Sequence, residues 1–377
     1  MALDFTDHEE IVGTRARSGP GRTDKKGIGM MQAVGLFGDP DRAARWVEKA
    51  RWGDGPVACP RCKGERTAPA THETMPFRCA DCRKFFSVKT GTPMGDSKLP
   101  LSHWLMAAYQ DLTNLKGVSS LKLSRDLDIT QKSAWYMIQR LHEAFMGDEP
   151  PAEFASGREF QIDEAYIGGL EKNKHSKDKV PGGQGGSTKM IVIGITEVSS
   201  GKIWADVITD TRGETVADVV HRVVPEGATI YTDEGRHYGG IDSDRYAVNH
   251  GRGEYALMVD LMDGMDGMAS TNHTESAWSM LKRSIVGVHH KMSPKHLRRH
   301  VKTFAGRWNI RSLDTEDQMK FVFRRMMDRP LTYATLMADN RLPSGSRKGG
   351  AYFPERRRRY RKCVGRCENA KEQGRKI

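Results

Sequence analysis

Three acids far apart in the chain have the residue type and setting for one kind of chemistry. Asp163 falls in the middle of R-E-F-Q-I-D-E-A-Y-I-G-G (158–169), where Phe160, Ile162 and Ile167 among polar residues mark a half-buried strand. Asp233 follows a second short strand, 228–231, and Glu275 lies on a helix-like run, 271–283. Two strand acids and one helix acid are what a two-metal phosphoryl-transfer site needs. Carboxylates brought together repel, so they are rarely assembled unless a cation offsets them. Two Mg2+ (or Mn2+) ions shared by the three groups would activate a water or a 3′-hydroxyl and stabilise a leaving 3′-oxygen in an in-line attack at phosphorus. Asn272 stands three residues before Glu275 on the same helix face, so either side chain can reach a metal there. Lys282, two turns past Glu275 on that face, is placed to hold the phosphate beside the cut. Taken singly, each acid is more often a solvated side chain or a helix cap; only their convergence makes a site.

A second metal site is signalled by Cys59-Pro-Arg-Cys62 and Cys79-Ala-Asp-Cys82. Each C-x2-C pair sets two thiolates on a tight turn, and two such turns complete one tetrahedral, closed, structural Zn2+ site. Phe77, Phe85, Phe86 and Val88 supply the hairpin that flanks a ribbon of this kind. Cys363 and Cys367 have no second pair nearby and read as spare thiols.

The elements that must position the acids follow from the pattern between them. The run 189–198 is continuously apolar, as in a sheet interior, and 202–209 returns after the turn Ser199-Ser200-Gly201. A helix over 214–224, a strand over 228–232 and a further strand near 246–249 follow. Strand, strand, strand, helix, strand, helix is the order of a ribonuclease H-like mixed α/β sheet flanked by helices. The Met-rich stretch 250–270 has no readable shape, and 171–188 reads as a Lys/Gly-rich loop.

Charge points to a polyanionic partner. The 377 residues carry a net charge of +12 with 37% apolar content. Twelve Lys/Arg against three Glu fall in 344–377, and nine Lys/Arg with no acid fall in 282–311. A helical region over 101–145 contains two helices, 119–127 and 131–145, joined by Asp128-Ile129-Thr130. This resembles a helix-turn-helix whose second helix, with Lys132, Tyr136, Gln139 and Arg140, enters a major groove; a packed three-helix linker is the alternative. Lys132, Arg140, Lys282, Arg283, Lys295, Arg298 and Arg299 are the candidate DNA contacts. No apolar run is long enough to span a membrane and the first residues do not form a signal peptide, so a cytoplasmic, nucleoid-associated protein is expected. The expected domains are a disordered 1–29, a helix plus zinc ribbon over 30–98, a helical domain over 99–148, a catalytic domain over 155–312, and an extension with a basic tail over 313–377.

C-P-R-C with C-A-D-C, Q-I-D-E-A-Y-I-G-G, I-Y-T-D-E-G, N-H-T-E-S-A-W-S-M-L-K-R and M-S-P-K-H-L together resemble the bacterial insertion-sequence transposases that join an N-terminal zinc ribbon to a ribonuclease H-like DDE core. The resemblance runs from about Gly35 to Arg311. It implies cleavage and strand transfer of double-stranded DNA, at element terminal repeats and target, by a homo-oligomer in a synaptic complex. It also implies Asp163 and Asp233 as metal ligands. The third ligand in this group is Glu or Asn; Glu275 is preferred here because a carboxylate binds Mg2+ more strongly than an amide. A structure-specific nuclease or resolvase of the same fold and a non-enzymatic DNA-binding regulator are the rival functions.

Overall fold

The structure, a computed structural model, describes residues 27–168, 189–241, 245–248, 257–260, 266–290, 292–327 and 329–338. The stretch 1–26, the loop 171–188 and the basic tail with Cys363 and Cys367 lie outside the described residues.

The chain opens with helices α1 (Met30–Phe37) and α2 (Pro40–Trp52). Asp39 caps α2: its carboxylate accepts the Arg42 N–H at 2.8 Å, and Pro40 holds the first helical position. Gly53, at φ +66°, ends it with a backbone conformation that side chains resist. A small antiparallel sheet of β1 (Thr67–Pro69), β2 (Phe77–Cys79) and β3 (Phe85–Phe86) forms the ribbon. Helices α3 (Leu101–Thr113), α4 (Ser120–Asp126) and α5 (Gln131–Leu141) follow. Ser119 and Thr130 cap α4 and α5, accepting the N–H groups of Lys122 and Ser133.

The central sheet holds β4 (Glu159–Ile167), β5 (Met190–Glu197), β6 (Ile203–Ile208), then helix α6 (Gly213–Val223), β7 (Thr229–Asp233) and β8 (Arg245–Val248). Its order is β6-β5-β4-β7-β8, with the first two joints antiparallel and the last two parallel. This is the ribonuclease H-like mixed sheet expected from the strand order. The unread stretch 250–270 contributes a hairpin of β9 (Leu257–Asp260) and β10 (Asp266–Ala269). Helix α7 (Asn272–Ser284) then runs into a π-helical turn (Ile285–His289), followed by α8 (Pro294–Asn309), α9 (Thr315–Met326) and α10 (Tyr333–Met337). Among the described residues no helix is long and apolar enough to cross a membrane.

Helices cover both faces of the sheet. Phe160 and Ile162 of β4 bury against Val216, Val220 and Val223 of α6. Ala165 and Ile167, on the opposite face, bury against Ala277, Trp278 and Leu281 of α7 and Leu297 and Val301 of α8. Each such aliphatic side chain removed from water contributes roughly 1.5–3 kcal/mol. A strand read as half-buried is therefore covered on both sides, so its polar residues must find partners inside the protein.

The segment after residue 313 is more than an extension. Met319, Val322, Phe323 and Met326 of α9 share one core with Ala33, Phe37, Val47, Trp104, Leu105 and Met137. Trp46 meets both Phe37 and Phe323 edge to face. The i, i+3, i+4, i+7 spacing of the α9 residues gives that helix one apolar stripe, and the N-terminal helical layer is the surface that buries it.

Candidate active site and metal centres

The ribbon brings four sulfurs together. Cys59 Sγ lies 3.7 Å from Cys82 Sγ, Cys62 Sγ lies 3.6 Å from Cys79 Sγ, and all four ligand atoms fall within 4.8 Å of one another. A tetrahedral ion with Zn–S of about 2.3 Å needs sulfurs about 3.8 Å apart, so the cavity has the size of that ion. Burial raises the Cys59 thiol, but the N–H groups of Cys62 and Arg61 and the neighbouring sulfurs more than offset it and bring it down to about 7. Cys62 is pushed up to about 12: the Gly64 N–H favours its thiolate, while burial and the other three sulfurs disfavour it. Sulfurs this close resist ionising together without a cation, which fits a closed structural zinc site. Trp52 braces the ribbon from α2, edge-on to Phe77 and Phe86, with its indole N–H on the Ala58 carbonyl.

The acids are arranged differently. The β4–β7 ladder pairs Glu159 with Thr229, Phe160 with Ile230 and Gln161 with Tyr231. Extended by two residues, that register puts Asp163 level with Asp233 and on the same face, because both lie an even number of residues from paired positions. Gln161, buried on that face, anchors the start of α7. Its amide donates to Ser270 Oγ at 3.1 Å and accepts the His273 N–H at 2.9 Å. Thr274 Oγ1 reaches the Gln161 carbonyl at 3.3 Å and Thr196 Oγ1 at 2.9 Å. Gly194, opposite Asp163 on β5, permits the close approach: a Cβ there would stand 2.4 Å from the Trp278 ring of α7.

Glu275 sits in the first turn of α7, where it accepts the Thr271 hydroxyl at 3.0 Å, and Asn272 stands at the exposed first position of that helix. Burial first, and then the carboxylates of Glu164, Asp233 and Glu275, push the Asp163 carboxyl up to about 7 against one backbone N–H. The charges of the other two expected ligands, Asp233 and Glu275, therefore both act on Asp163. Among the described residues only the cysteines close into a set with every ligand atom within 4.8 Å. An oxygen donor set under mutual repulsion has the chemistry of a hard divalent cation site.

Several contributors were not foreseen from sequence. Gln161, Ser270, Thr274 and Thr196 fix α7, and the one available signal was a polar residue inside an apolar strand. Glu164, beside Asp163, is buried on the opposite face and bonded to Tyr238 and His237; the Glu164 carboxylate holds His237 above its ordinary value, against burial.

The expected DNA contacts divide. Lys282 and Arg283 are exposed at the end of α7. The others are engaged within the protein. Arg298 makes a two-pronged contact with Asp206 at 2.8 Å and reaches Asp148, Arg299 bonds Gln139 and Glu143, and Lys295 donates to the Met337 carbonyl. Helix α8 packs between the sheet and the helical layer, so acids on either side draw its cations inward. The expected groove-reading face of α5 is likewise covered: Tyr136 and Arg140 bond the Leu331 carbonyl, and Lys132 lies over the Tyr333 ring.

Residues 154–309 match the family model of the ISXO2-like transposase domain, and residues 38–85 match that of the transposase zinc-ribbon domain. Both matched descriptions are those of transposase domains. The first of these matched stretches, 154–309, spans the whole central sheet with α7 and α8, and thus all three acids. Among solved structures, the catalytic core domain of BIV integrase matches 39% of this chain and 81% of its own, at 13% identity and a TM-score of 0.23. No curated protein sequence matches the chain.

Proposed function

We propose that the protein is an active DDE-type transposase that cleaves an insertion element from double-stranded DNA and transfers its strands to a target. Asp163, Asp233 and Glu275 would hold two Mg2+ or Mn2+ ions, with Asn272 the competing third ligand and Lys282 gripping the adjacent phosphate. What supports this reading is a β4–β7 register that, carried on by two residues, sets Asp163 level with Asp233, together with the charges of Asp233 and Glu275 acting on Asp163. Bound there, divalent cations supply an activated water or 3′-hydroxyl and offset charge at phosphorus. The chain's own contribution is positioning. Gln161 and Gly194 seat the helix that carries Glu275, and the β4–β7 register aligns Asp163 with Asp233. Exposed Lys282 and Arg283 at the end of that helix offer phosphate contacts whose strength falls with salt. The ribbon, holding one Zn2+, would serve as a rigid module in a cytoplasmic, homo-oligomeric synaptic complex.

The test is cleavage and joining of a supercoiled plasmid carrying the element ends, with Mg2+ or with EDTA. Asp163→Ala and Asp233→Ala should each lower cutting at least ~100-fold, as loss of a group that holds a catalytic cation does. Wild-type activity in EDTA, or full activity of Asp163→Ala, overturns the proposal. Asn272→Ala abolishing cutting while Glu275→Ala does not would move the third ligand to Asn272. Cutting without strand-transfer product would make the protein a nuclease of the same fold.

A further inference from the structure

Immediately after Asp163, and on the other face of β4, a second carboxylate is buried. The Glu164 side chain is 5% exposed. It accepts the Tyr238 hydroxyl at 2.7 Å and faces His237 Nε2 at 3.2 Å. Both partners belong to the single turn of 3-10 helix, Arg236–Tyr238, that begins three residues after Asp233. Tyr238 is fully buried in the apolar layer with Phe160, Ile162 and Val216. The His237 and Tyr238 ring centres are 4.2 Å apart. Between this turn and Asp233 the chain closes tightly. The Gly235 N–H donates to Asp233 Oδ1 at 2.9 Å, and a Cβ on Gly235 would stand 2.4 Å from the His237 ring.

The significance lies in where the β4–β7 ladder stops. Its last pair is Gln161 with Tyr231, two residues short of Asp163 and Asp233. Past that point, the neighbour of one acid grips the turn that follows the other. Burying a carboxylate beside Asp163 costs desolvation and adds a like charge to the site, so its hydrogen bonds must return something the site uses.

We propose that Glu164, gripped by Tyr238 and His237, is a positioning residue that sets the separation of Asp163 and Asp233 and thereby the affinity of the site for a divalent cation. This rests on Asp163 and Asp233 being cation ligands. Partners one step removed from a metal typically control 10–100-fold in affinity.

The test measures Mn2+ binding to the full-length, zinc-loaded protein by electron paramagnetic resonance of free Mn2+, alongside the Mn2+ concentration giving half-maximal plasmid cleavage. Tyr238→Phe removes one hydroxyl and keeps the packed ring. It should weaken Mn2+ binding about 10-fold and raise the half-maximal concentration in parallel, with a smaller change in rate at saturating Mn2+. Glu164→Ala should lose at least as much. Glu164→Gln, which keeps an acceptor for Tyr238 and removes the charge, should stay within about 3-fold of wild type, inside the range expected of an intact outer contact. Wild-type Mn2+ binding by Tyr238→Phe and Glu164→Ala overturns the inference. So does a Glu164→Gln loss as large as that of Glu164→Ala, because the effect is then charge and not position. Asp163→Ala separates the two levels: if it too binds Mn2+ as wild type does, the ligand assignment has failed and not merely the grip upon it.

Discussion

Four sulfurs of the ribbon stand within 4.8 Å of one another, whereas the acids of the sheet press on Asp163 through their charges without closing into such a set. The sulfurs arrive in pairs on tight turns, so most of their geometry is local and the two turns need only meet. The acids arrive from two strands and a helix, and their geometry is inherited from a whole domain. A closed site of the first kind draws its stability from the ion it encloses. An open site of the second kind is held against its own repulsion by the fold around it, and its affinity can be tuned by residues that never touch the ion. Opposite responses to ligand removal follow: loss of a cysteine should loosen the protein locally, and loss of an acid should tighten it.

The largest effect should come from zinc. Cys79→Ala should abolish zinc binding, a contribution of about 10 kcal/mol in comparable small sites, and expose 57–88 to hydrogen exchange while the central sheet keeps its protection. Metal content and exchange mass spectrometry read both. Retained protection in the ribbon would mean that Trp52, Phe77 and Phe86 hold it without metal, and the contrast between the two sites would fail.

A middle effect is expected where the helix meets the sheet. At Gly194 an added methyl meets the Trp278 ring, and overpacking of this kind costs roughly 1–3 kcal/mol. Gly194→Ala should therefore lower Tm by a few degrees. Because Trp278 lies one turn beyond Glu275, it should also weaken Mn2+ binding measured on the folded protein. A Tm loss with unchanged Mn2+ binding would show that the position of α7 does not control the acid site.

How much of this could be read from the sequence follows the same division. Cys59, Cys62, Cys79 and Cys82 were legible because a C-x2-C spacing carries its turn geometry with it. Asp163, Asp233 and Glu275 were legible as candidates because alternation and helix period place them on elements, and the order of those elements names the sheet. What the sequence did not reveal is what sits across the elements. No local pattern singles out Glu164 until Tyr238, seventy-four residues on, is found against it. Arg298 and Arg299 read as a DNA-facing stripe because nothing local shows that Asp206 and Glu143 will lie opposite. Helix α9 reads as an appendage because Trp46, which meets its Phe323 edge to face, lies almost three hundred residues earlier. Long-range pairing of polar and charged groups leaves no periodic trace.

The smallest effect, and the one that most directly separates the two kinds of site, is the pH dependence of stability without added divalent cation. Asp163 titrates near 7 when folded and near 3.9 when unfolded. A raised folded value means that the native chain binds the extra proton, so this residue's contribution is fully present below about pH 4 and is lost as pH rises toward 7. Asp163→Asn keeps the shape and removes both the burial cost and the repulsion, so it should raise Tm at pH 7 by roughly 2–4 °C and flatten the slope between pH 4 and 7. Saturating Mg2+ should raise Tm of the wild type at pH 7 and leave Asp163→Asn nearly unmoved, since a ligand stabilises only the state that binds it. If Asp163→Asn instead lowers Tm across that range, the carboxylate is bonded to something that satisfies it, and the acids are a structural cluster with no need of a cation.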